Sequence, residues 1–527
     1  MNIYLIGVAA SMIVYLAVGM FAGRKVKDVN DYYVAGRNAP TILIVGSLVA
    51  SFLSTAAFLG DTGEAYSGIF IAMVIGGIMQ STGYMFGAPL FGRYISRGEA
   101  LTLPEYYGKR FCDPKMQKLA GITTIVAVIA YMLSAIQGIS TLMNAITGLN
   151  YSLCVIIAWT SFAVFTIWSG SSGVLITDTM MFLVFLLAAL IGIPFVIKAA
   201  GGWFPAIAEL ATQTTRPGII SAGGNLDYLY PTAAGNLTWA ITYGAIWMIV
   251  GAVSPWQTSR YLMAKDEKTV LKSAFFSSTT SMIIVTLLYF TAVFVYKINP
   301  DLVPSQSITW AAMNIMPKLV GVILLTGILA AGISSASTFL SLCGFSLTND
   351  ILKLDKNTDV KKQLKISRYG MIVVSLVVLV LAYFNPPQIF WITFFGGSVV
   401  ASSWAVVSFG SIWSKKLSSF GAFCSMLLGF VVCVTVKGYS VVKGVTLPPL
   451  LDSFVLGLAA SVIGAVVGTK LKPKTEAEQK EQDKLFVKTG ESVAGMRKYG
   501  FVYLGFAVML TILLLVFYAI PYTNAVK

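Results

Sequence analysis

Residues 41–69 read TILIVGSLVASFLSTAAFLGDTGEAYSGI. This mostly apolar run exceeds the roughly 20 residues of one α-helical bilayer crossing. It nevertheless contains Gly46, Gly60 and Gly63, and a polar patch, SLVASFLSTAAF (47–58). An apolar segment with its polar groups in the middle is predicted to be a helix broken inside the membrane. A break frees backbone groups, which hydrocarbon tolerates only where protein, water or an ion takes them up. The carbonyls near Ala50 and Leu53 are therefore candidates to face a cation, and a small-residue packing face is the other reading of the same composition. Asp61 and Glu64, at the outer end of the segment, are expected to meet water.

The rest of the 527 residues suits that setting. The chain is 57% hydrophobic and 11% charged, with mean hydropathy +0.79, whereas soluble domains are about 25% charged. It is an all-α polytopic membrane protein in the lipid bilayer. Apolar runs predict about 14 transmembrane helices, near 3–23, 41–69, 70–92, 119–147, 151–168, 174–197, 238–257, 274–296, 319–346, 369–384, 388–411, 420–436, 453–469 and 501–520. With no histidine, His-metal sites and His proton relays are excluded. The five cysteines are scattered, so neither a disulfide framework nor a zinc site is indicated. Thirty of the 37 Lys and Arg residues fall in alternate loops, 24–39, 93–118, 258–272, 347–368, 412–419 and 470–500. The net charge of +15 thus reports topology, not nucleic-acid binding. Those loops are predicted cytoplasmic and both termini extracytoplasmic, in a cell (plasma or inner) membrane. Loop 470–500, rich in Lys and Glu, reads as solvated or surface-bound. The first span lacks a basic leader and reads as a retained helix.

Three further stretches depart from plain lipid-facing helix. In 319–346, Ser334, Ser337, Thr338 and Ser341 share one helical face with Ser335 beside it. Neutral hydroxyls suit a hard monovalent cation, by analogy with the oxygen preference of calcium and magnesium. Asp178 lies in ITDTMMF (176–182), and a carboxylate at membrane depth is a functional candidate by default. Segment 238–257 contains Gly244, Trp247, Gly251 and Pro255 and is predicted to be interrupted again. Interrupted helices opening two successive five-helix blocks indicate an inverted-repeat transporter with its site at the midplane. The expected organisation is an extra helix and cytoplasmic loop (1–40), a first five-helix repeat (41–200), an extracellular loop (201–237), a second inverted five-helix repeat (238–411) and three peripheral helices (412–527).

The chain resembles the solute:sodium symporters, the family of the bacterial proline and pantothenate symporters and the animal sodium/glucose carriers, over about 1–420. The resemblance rests on DYYVAGR (31–37), the 41–69 stretch, LTLPEYYGKRF (101–111), Thr177 with Asp178, the spacing of Pro255 and Arg260, and SSAST (334–338) followed by TNDI (348–351). It implies a leucine-transporter-like core of ten helices. It implies also a main sodium site on the carbonyls of Ala50, Leu53 and Ala331 and the hydroxyls of Ser334 and Ser335. In some relatives a second sodium site would map to Asp178, Ser337 and Thr338.

Sugar-carrying relatives have polar residues where Ala57 and Gly76 stand here. The proline carrier has an aspartate at the place of Phe52 and a tyrosine at that of Gly251. Neither sugar nor proline is therefore assigned. The solute cavity is expected to draw on Ser54, Thr55 and Ala57, on Tyr131, Ser134 and Gln137, and on Trp247, Phe394 and Phe395. Backbone N–H groups at the break favour a carboxylate-bearing solute such as an amino acid or organic acid. The expected function is sodium-coupled symport of a small organic solute by alternating access, with sodium as the co-transported ion. The alternatives are a proton-coupled carrier using Asp178 and a solute sensor without accumulation. No nucleophile–base pair, phosphate loop or metal motif suggests an enzyme. The sequence assigns no oligomeric state.

Overall fold

The computed structural model describes residues 3–23, 33–352, 360–384, 388–487 and 493–527. Parts of three predicted cytoplasmic loops (24–32, 353–359 and 488–492) lie outside the described residues, as do the first two residues of DYYVAGR. Among the described residues no strand is formed, and eleven helices are long and apolar enough to cross a membrane. The count of fourteen is not reproduced by that criterion. The segments Ile3–Val14, Thr41–Phe52 and Tyr151–Ala163 are apolar but shorter.

The chain runs α1 (Ile3–Gly23), α2 (Thr41–Phe52), α3 (Phe70–Gly87), α4 (Pro114–Thr147), α5 (Tyr151–Ala199), α6 (Ala233–Val253), α7 (Pro255–Met263), α8 (Glu267–Ile298), α9 (Lys318–Phe345), α10 (Val360–Phe384), α11 (Ile389–Trp413), α12 (Ser419–Lys443), α13 (Ser453–Leu471), α14 (Glu476–Lys484) and α15 (Arg497–Leu514). Both expected interruptions are present. After α2, Leu53 leaves helical geometry (φ −86°, ψ 58°), and the chain resumes as a π-wound turn, Ala56–Asp61. Between α6 and α7, Ser254 is extended (φ −64°, ψ 147°). Pro255, which cannot donate an N–H, opens the next helix where that donor is not needed.

Two expectations are corrected. Spans 151–168 and 174–197 are joined in α5, one continuous helix of 49 residues. The stretch SGSSG (169–173), left between the two predicted spans, is wound as helix. Two glycines cost about 1 kcal/mol each there, which long apolar flanks can override. Loop 470–500, read as solvated or surface-bound, folds back on the protein in part. Thr475 and Glu478 form a reciprocal capping box at the start of α14, and Glu478 and Gln482 are buried. Gln482 Nε2 donates to the Ile412 carbonyl (2.5 Å), Arg110 donates to the Glu478 carbonyl (3.0 Å), and Arg97 to that of Leu485.

Several of the family-like motifs meet in one polar knot at the same face. Asp350 accepts from Thr102 (2.7 Å) and Gln117 (3.0 Å). Asn349 donates to Glu105 (3.1 Å). The Tyr33 and Thr348 hydroxyls lie 2.6 Å apart, and Arg37 donates to the Ala100 carbonyl (2.8 Å). These residues join three loops, which gives TNDI and LPEYYG a structural role.

Candidate functional site

The break after α2 leaves backbone groups without partners. Among the described residues nothing donates a hydrogen bond to the carbonyls of Ala50, Ser51, Phe52 or Leu53, and the amides of Ser54 and Thr55 donate to nothing. All these residues except Ser54 are buried. The break is wedged between two glycines. A Cβ on Gly138 of α4 would stand 2.6 Å from Thr55 Cβ, and one on Gly332 of α9 would stand 2.6 Å from Thr55 Cγ2 and from Ile139 Cγ1. Only a residue without a side chain lets the broken segment approach this closely. Gly332→Ala is therefore expected to displace Thr55 and cost about 1–3 kcal/mol. It should also raise the sodium concentration at half-saturation severalfold, read as a sodium-titrated melting temperature.

Ser335 lies one turn beyond Gly332 and so on the same face of α9. Among the described residues its buried hydroxyl has no hydrogen-bond partner, nor has that of Ser337 or Thr55. Serines in helices ordinarily bond back to their own previous turn, as Ser341 does to the Ser337 carbonyl (2.9 Å). Ser334 instead donates to Asp178.

Asp178 has acquired a partner that the sequence reading did not assign to it. Arg260 of α7 and Asp178 of α5 form an ion pair at 3.3 Å, 2% and 0% exposed. The guanidinium is saturated. Its Nε donates to Ser47 (2.9 Å), Nη1 to the Trp256 carbonyl (2.6 Å) and to Ser259 (3.2 Å), and Nη2 to Ser51 (2.9 Å), Thr338 (3.0 Å) and Asp178. Ser47 in turn donates to Asp178. Asp178 and Thr338 are thus both bonded to one protein guanidinium, and Ser337 has no hydrogen-bond partner among the described residues. Arg260 and Thr338 also line a small cavity together with Tyr33, Thr102 and Phe345.

The expected solute residues divide into two groups. Tyr131, Trp247 and Phe394 lie in one aromatic wall with Tyr243 and Phe390. Tyr131 meets Trp247 edge-on (6.1 Å between centroids), Tyr243 meets Trp247 at 6.2 Å, and Phe394 stacks on Tyr243 at 5.9 Å. Thr55 and Ala57 are buried and Ser54 half-buried. Ser134 and Gln137, by contrast, are committed to the wall's framework. Ser134 donates to the Ile389 carbonyl (2.9 Å) and accepts from Thr393 (2.6 Å), and Gln137 accepts from the Gln388 amide (3.0 Å). Phe395 is half-buried outside those ring contacts. Trp239 and Phe394 also line a second cavity, with Tyr228, Trp391, Lys437 and Asp452.

Asp61 and Glu64 differ from their expected exposure. Glu64 is 8% exposed and Asp61 half-buried. Their hydrogen-bond partners, Tyr289 for Asp61 and Tyr228 for Glu64, lie far away in sequence, which is why a local reading left both acids in water. Arg260 falls among the basic residues of the predicted cytoplasmic loop 258–272, so its charge gives no signal of burial.

A profile of the Sodium:solute symporter family matches residues 32–429. The sodium/pantothenate symporter of Escherichia coli (strain K12) is 23% identical, over 88% of this chain and 97% of its own length. The sodium/proline symporter of Salmonella typhimurium (strain LT2) is also 23% identical, over 86% and 91%. Among solved structures, a Na+-coupled sialic acid symporter in a substrate-bound outward-open state superposes with TM-score 0.72 at 16% identity, covering 90% of this chain and 99% of that one. A nucleobase-cation-symport-1 family transporter superposes with TM-score 0.53 at 12% identity, covering 86% and 98%. These two likenesses establish a leucine-transporter-like fold.

Proposed function

The chain belongs to the sodium:solute symporter family and carries out sodium-coupled symport of a small organic solute as a multi-pass membrane protein, and from that premise we propose where ion and solute sit. Sodium binds between the break and α9, on the carbonyls of Ala50, Leu53 and Ala331 and the hydroxyls of Ser334 and Ser335. The observation that carries this reading is the pairing of unsatisfied carbonyls at Ala50 and Leu53 with the unpartnered Ser335 hydroxyl. Hydrocarbon tolerates neither unless a ligand completes them. Ser334 donates its proton to Asp178, which leaves its oxygen lone pairs available to a cation.

The second cluster, Asp178, Ser337 and Thr338, takes its positive charge from Arg260. One sodium per cycle follows, and neither a proton-coupled carrier nor a sensor is favoured. The solute's carboxylate lies on the free amides of Ser54 and Thr55, against Ala57, Tyr131, Trp247 and Phe394. Ser134 and Gln137 act by tying α4 to α11, and Phe395 stands behind the wall. Blocks 41–200 and 238–411, each opening on a broken helix, form the inverted repeat, with both termini extracytoplasmic.

Coupling then needs no chemistry beyond linkage. Sodium draws the break onto α9 and so orders the amides that receive the solute. If sodium tightens solute binding tenfold, solute tightens sodium tenfold, about 1.4 kcal/mol. The test is a melting curve of the purified protein against sodium, with potassium and N-methylglucamine as controls. A sodium-specific rise supports the site, and identical curves in all three salts would remove it.

A further inference from the structure

Of the residues of α15 only Leu510 is buried. The helix runs beside α8 and touches it at three levels. The Tyr499 ring lies 5.2 Å from that of Phe275, the hydroxyls of Tyr503 and Ser278 are 2.8 Å apart, and Tyr518, in the turn after α15, meets Phe290 at 6.0 Å. Both helices advance in the same direction through these contacts. Two cavities of opposite character lie along the seam, one on each side of the Tyr503–Ser278 contact.

The first cavity is basic. Met85, Pro89 and Arg93 line it from the end of α3 and the turns that continue it, four residues apart and so on one face. Ala274 of α8 and Arg497 and Gly500 of α15 line it too, and no Asp or Glu does. Arg93 has only a share of a carboxylate. Arg97 takes both oxygens of Glu267 (2.6 and 2.9 Å), while Arg93 stands 3.4 Å off, its Nε buried without a hydrogen bond among the described residues. Arg497 is exposed and forms no ion pair among the described residues. Lys498 adds a further charge over the Tyr499 ring (5.6 Å). Two guanidiniums in a hollow otherwise walled by apolar groups suit a phosphate, whose oxygens match the planar fork.

The second cavity is apolar. Ile283, Leu287 and Phe290 of α8 and Phe506, Met509 and Leu513 of α15 line it. From Ala274 to Ile283 is nine residues, about 14 Å of helix. One leaflet, half of the hydrocarbon core, is about 15 Å deep. An acyl chain hung from a head group at the two arginines therefore reaches the apolar cavity, whereas a free phosphate has nothing to place there.

We propose that a phospholipid with an anionic head group binds along this seam, its phosphate on Arg93 and Arg497 and an acyl chain between α8 and α15. The lipid joins α15 to α3 and α8 and supplies burial that α15 lacks. A zwitterionic lipid carries its own ammonium to the arginines and is held less tightly, since a basic pocket between membrane helices selects for net negative charge. The site is independent of the ion and solute readings above.

The test is the melting temperature of the full-length protein in detergent micelles doped with dioleoyl phosphatidylglycerol or dioleoyl phosphatidylcholine, or given glycerol 3-phosphate and no lipid. Phosphatidylglycerol should give the largest rise, and glycerol 3-phosphate none at equal concentration. Arg497→Gln should raise the half-saturating mole fraction of phosphatidylglycerol about fivefold, the effect of one basic side chain lost at a membrane surface. Lys416→Gln, also exposed but outside the cavity, should leave it unchanged. Gly500→Phe fills the cavity instead of discharging it. A Cβ on Gly500 meets nothing within 4 Å, so this variant should melt normally in plain detergent and lose the preference for phosphatidylglycerol. Equal rises with the two lipids would overturn the proposal, as would a preference that survives in Gly500→Phe. An equal rise with glycerol 3-phosphate would reduce the site to one for free phosphate. A loss in Lys416→Gln as large as in Arg497→Gln would replace it with general surface charge. If Gly500→Phe does not accumulate, the comparison of Arg497→Gln with Lys416→Gln decides.

Discussion

Arg260→Ala is expected to abolish uptake and to lower stability by about 3–5 kcal/mol, the usual consequence of stranding one half of a buried ion pair. Asp178, fully buried, would keep its two serine donors, Ser47 and Ser334, and lose its counter-charge. The double variant Arg260→Ala/Asp178→Asn should recover most of the loss, because it removes both charges together. The two variants should also differ in their response to salt. With the guanidinium gone and the carboxylate present, Asp178, Ser337 and Thr338 become a ligand set for a cation, so the single variant should gain a sodium-dependent rise in melting temperature larger than that of the unaltered protein. The double variant should not. Equal sodium responses in both variants would mean that Arg260 does not stand in for an ion.

The second large effect separates two neighbouring serines. Ser335→Ala removes a hydroxyl that bonds to nothing, so in potassium it should hardly alter stability. In sodium it should raise the half-saturating concentration by tenfold or more, about 1.4 kcal/mol, and by reciprocity weaken solute binding measured at fixed sodium. Ser334→Ala behaves differently. It strips Asp178 of a hydrogen bond and should cost about 1–3 kcal/mol even in potassium, as well as weakening sodium. Melting curves of both variants in the two salts make the distinction. If Ser335→Ala destabilises equally in potassium and sodium, its hydroxyl is a packing group and the proposed ion site loses its strongest ligand.

Which features were legible in the sequence follows from the range over which each is determined. The broken helix is a local matter: polar residues at 47–58 inside an apolar run, with glycines around them, dictate an interruption wherever the segment is placed. The same holds for Ser254 and Pro255. The hydroxyl face of α9 follows from helical spacing alone. Asp178 could be singled out because its cost arises from membrane depth, but its partner could not. Arg260 lies 82 positions away on another helix, and only the packing of α2, α5, α7 and α9 brings the two together. The same holds for Asp61, whose hydrogen-bond partner Tyr289 comes from α8. The misreading of 169–173 has a different origin. Serine and glycine weaken a helix by fractions of a kilocalorie to about one each, too little to end one when both flanks are strongly apolar. In loop 470–500 the sequence correctly indicated polarity, yet Gln482 and Glu478 use that polarity to bind backbone groups of neighbouring loops.

A guanidinium fixed to α7 also bears on how steeply the protein can concentrate its cargo. An ion that travels draws on the membrane voltage at each crossing, about 2.3 kcal/mol per 100 mV for a unit charge, whereas a charge that remains in the protein draws on nothing. On the proposed stoichiometry of one sodium per cycle, a 100 mV potential and a tenfold sodium gradient together supply about 3.7 kcal/mol per cycle. That sustains roughly a 500-fold excess inside of a solute without net charge. Two travelling sodium ions would square the ratio and double the number that the cell's pumps must return. On that proposal, the resident arginine suits this chain to a solute that is scarce by hundreds, not by hundreds of thousands, and lowers the ionic traffic needed to gather it.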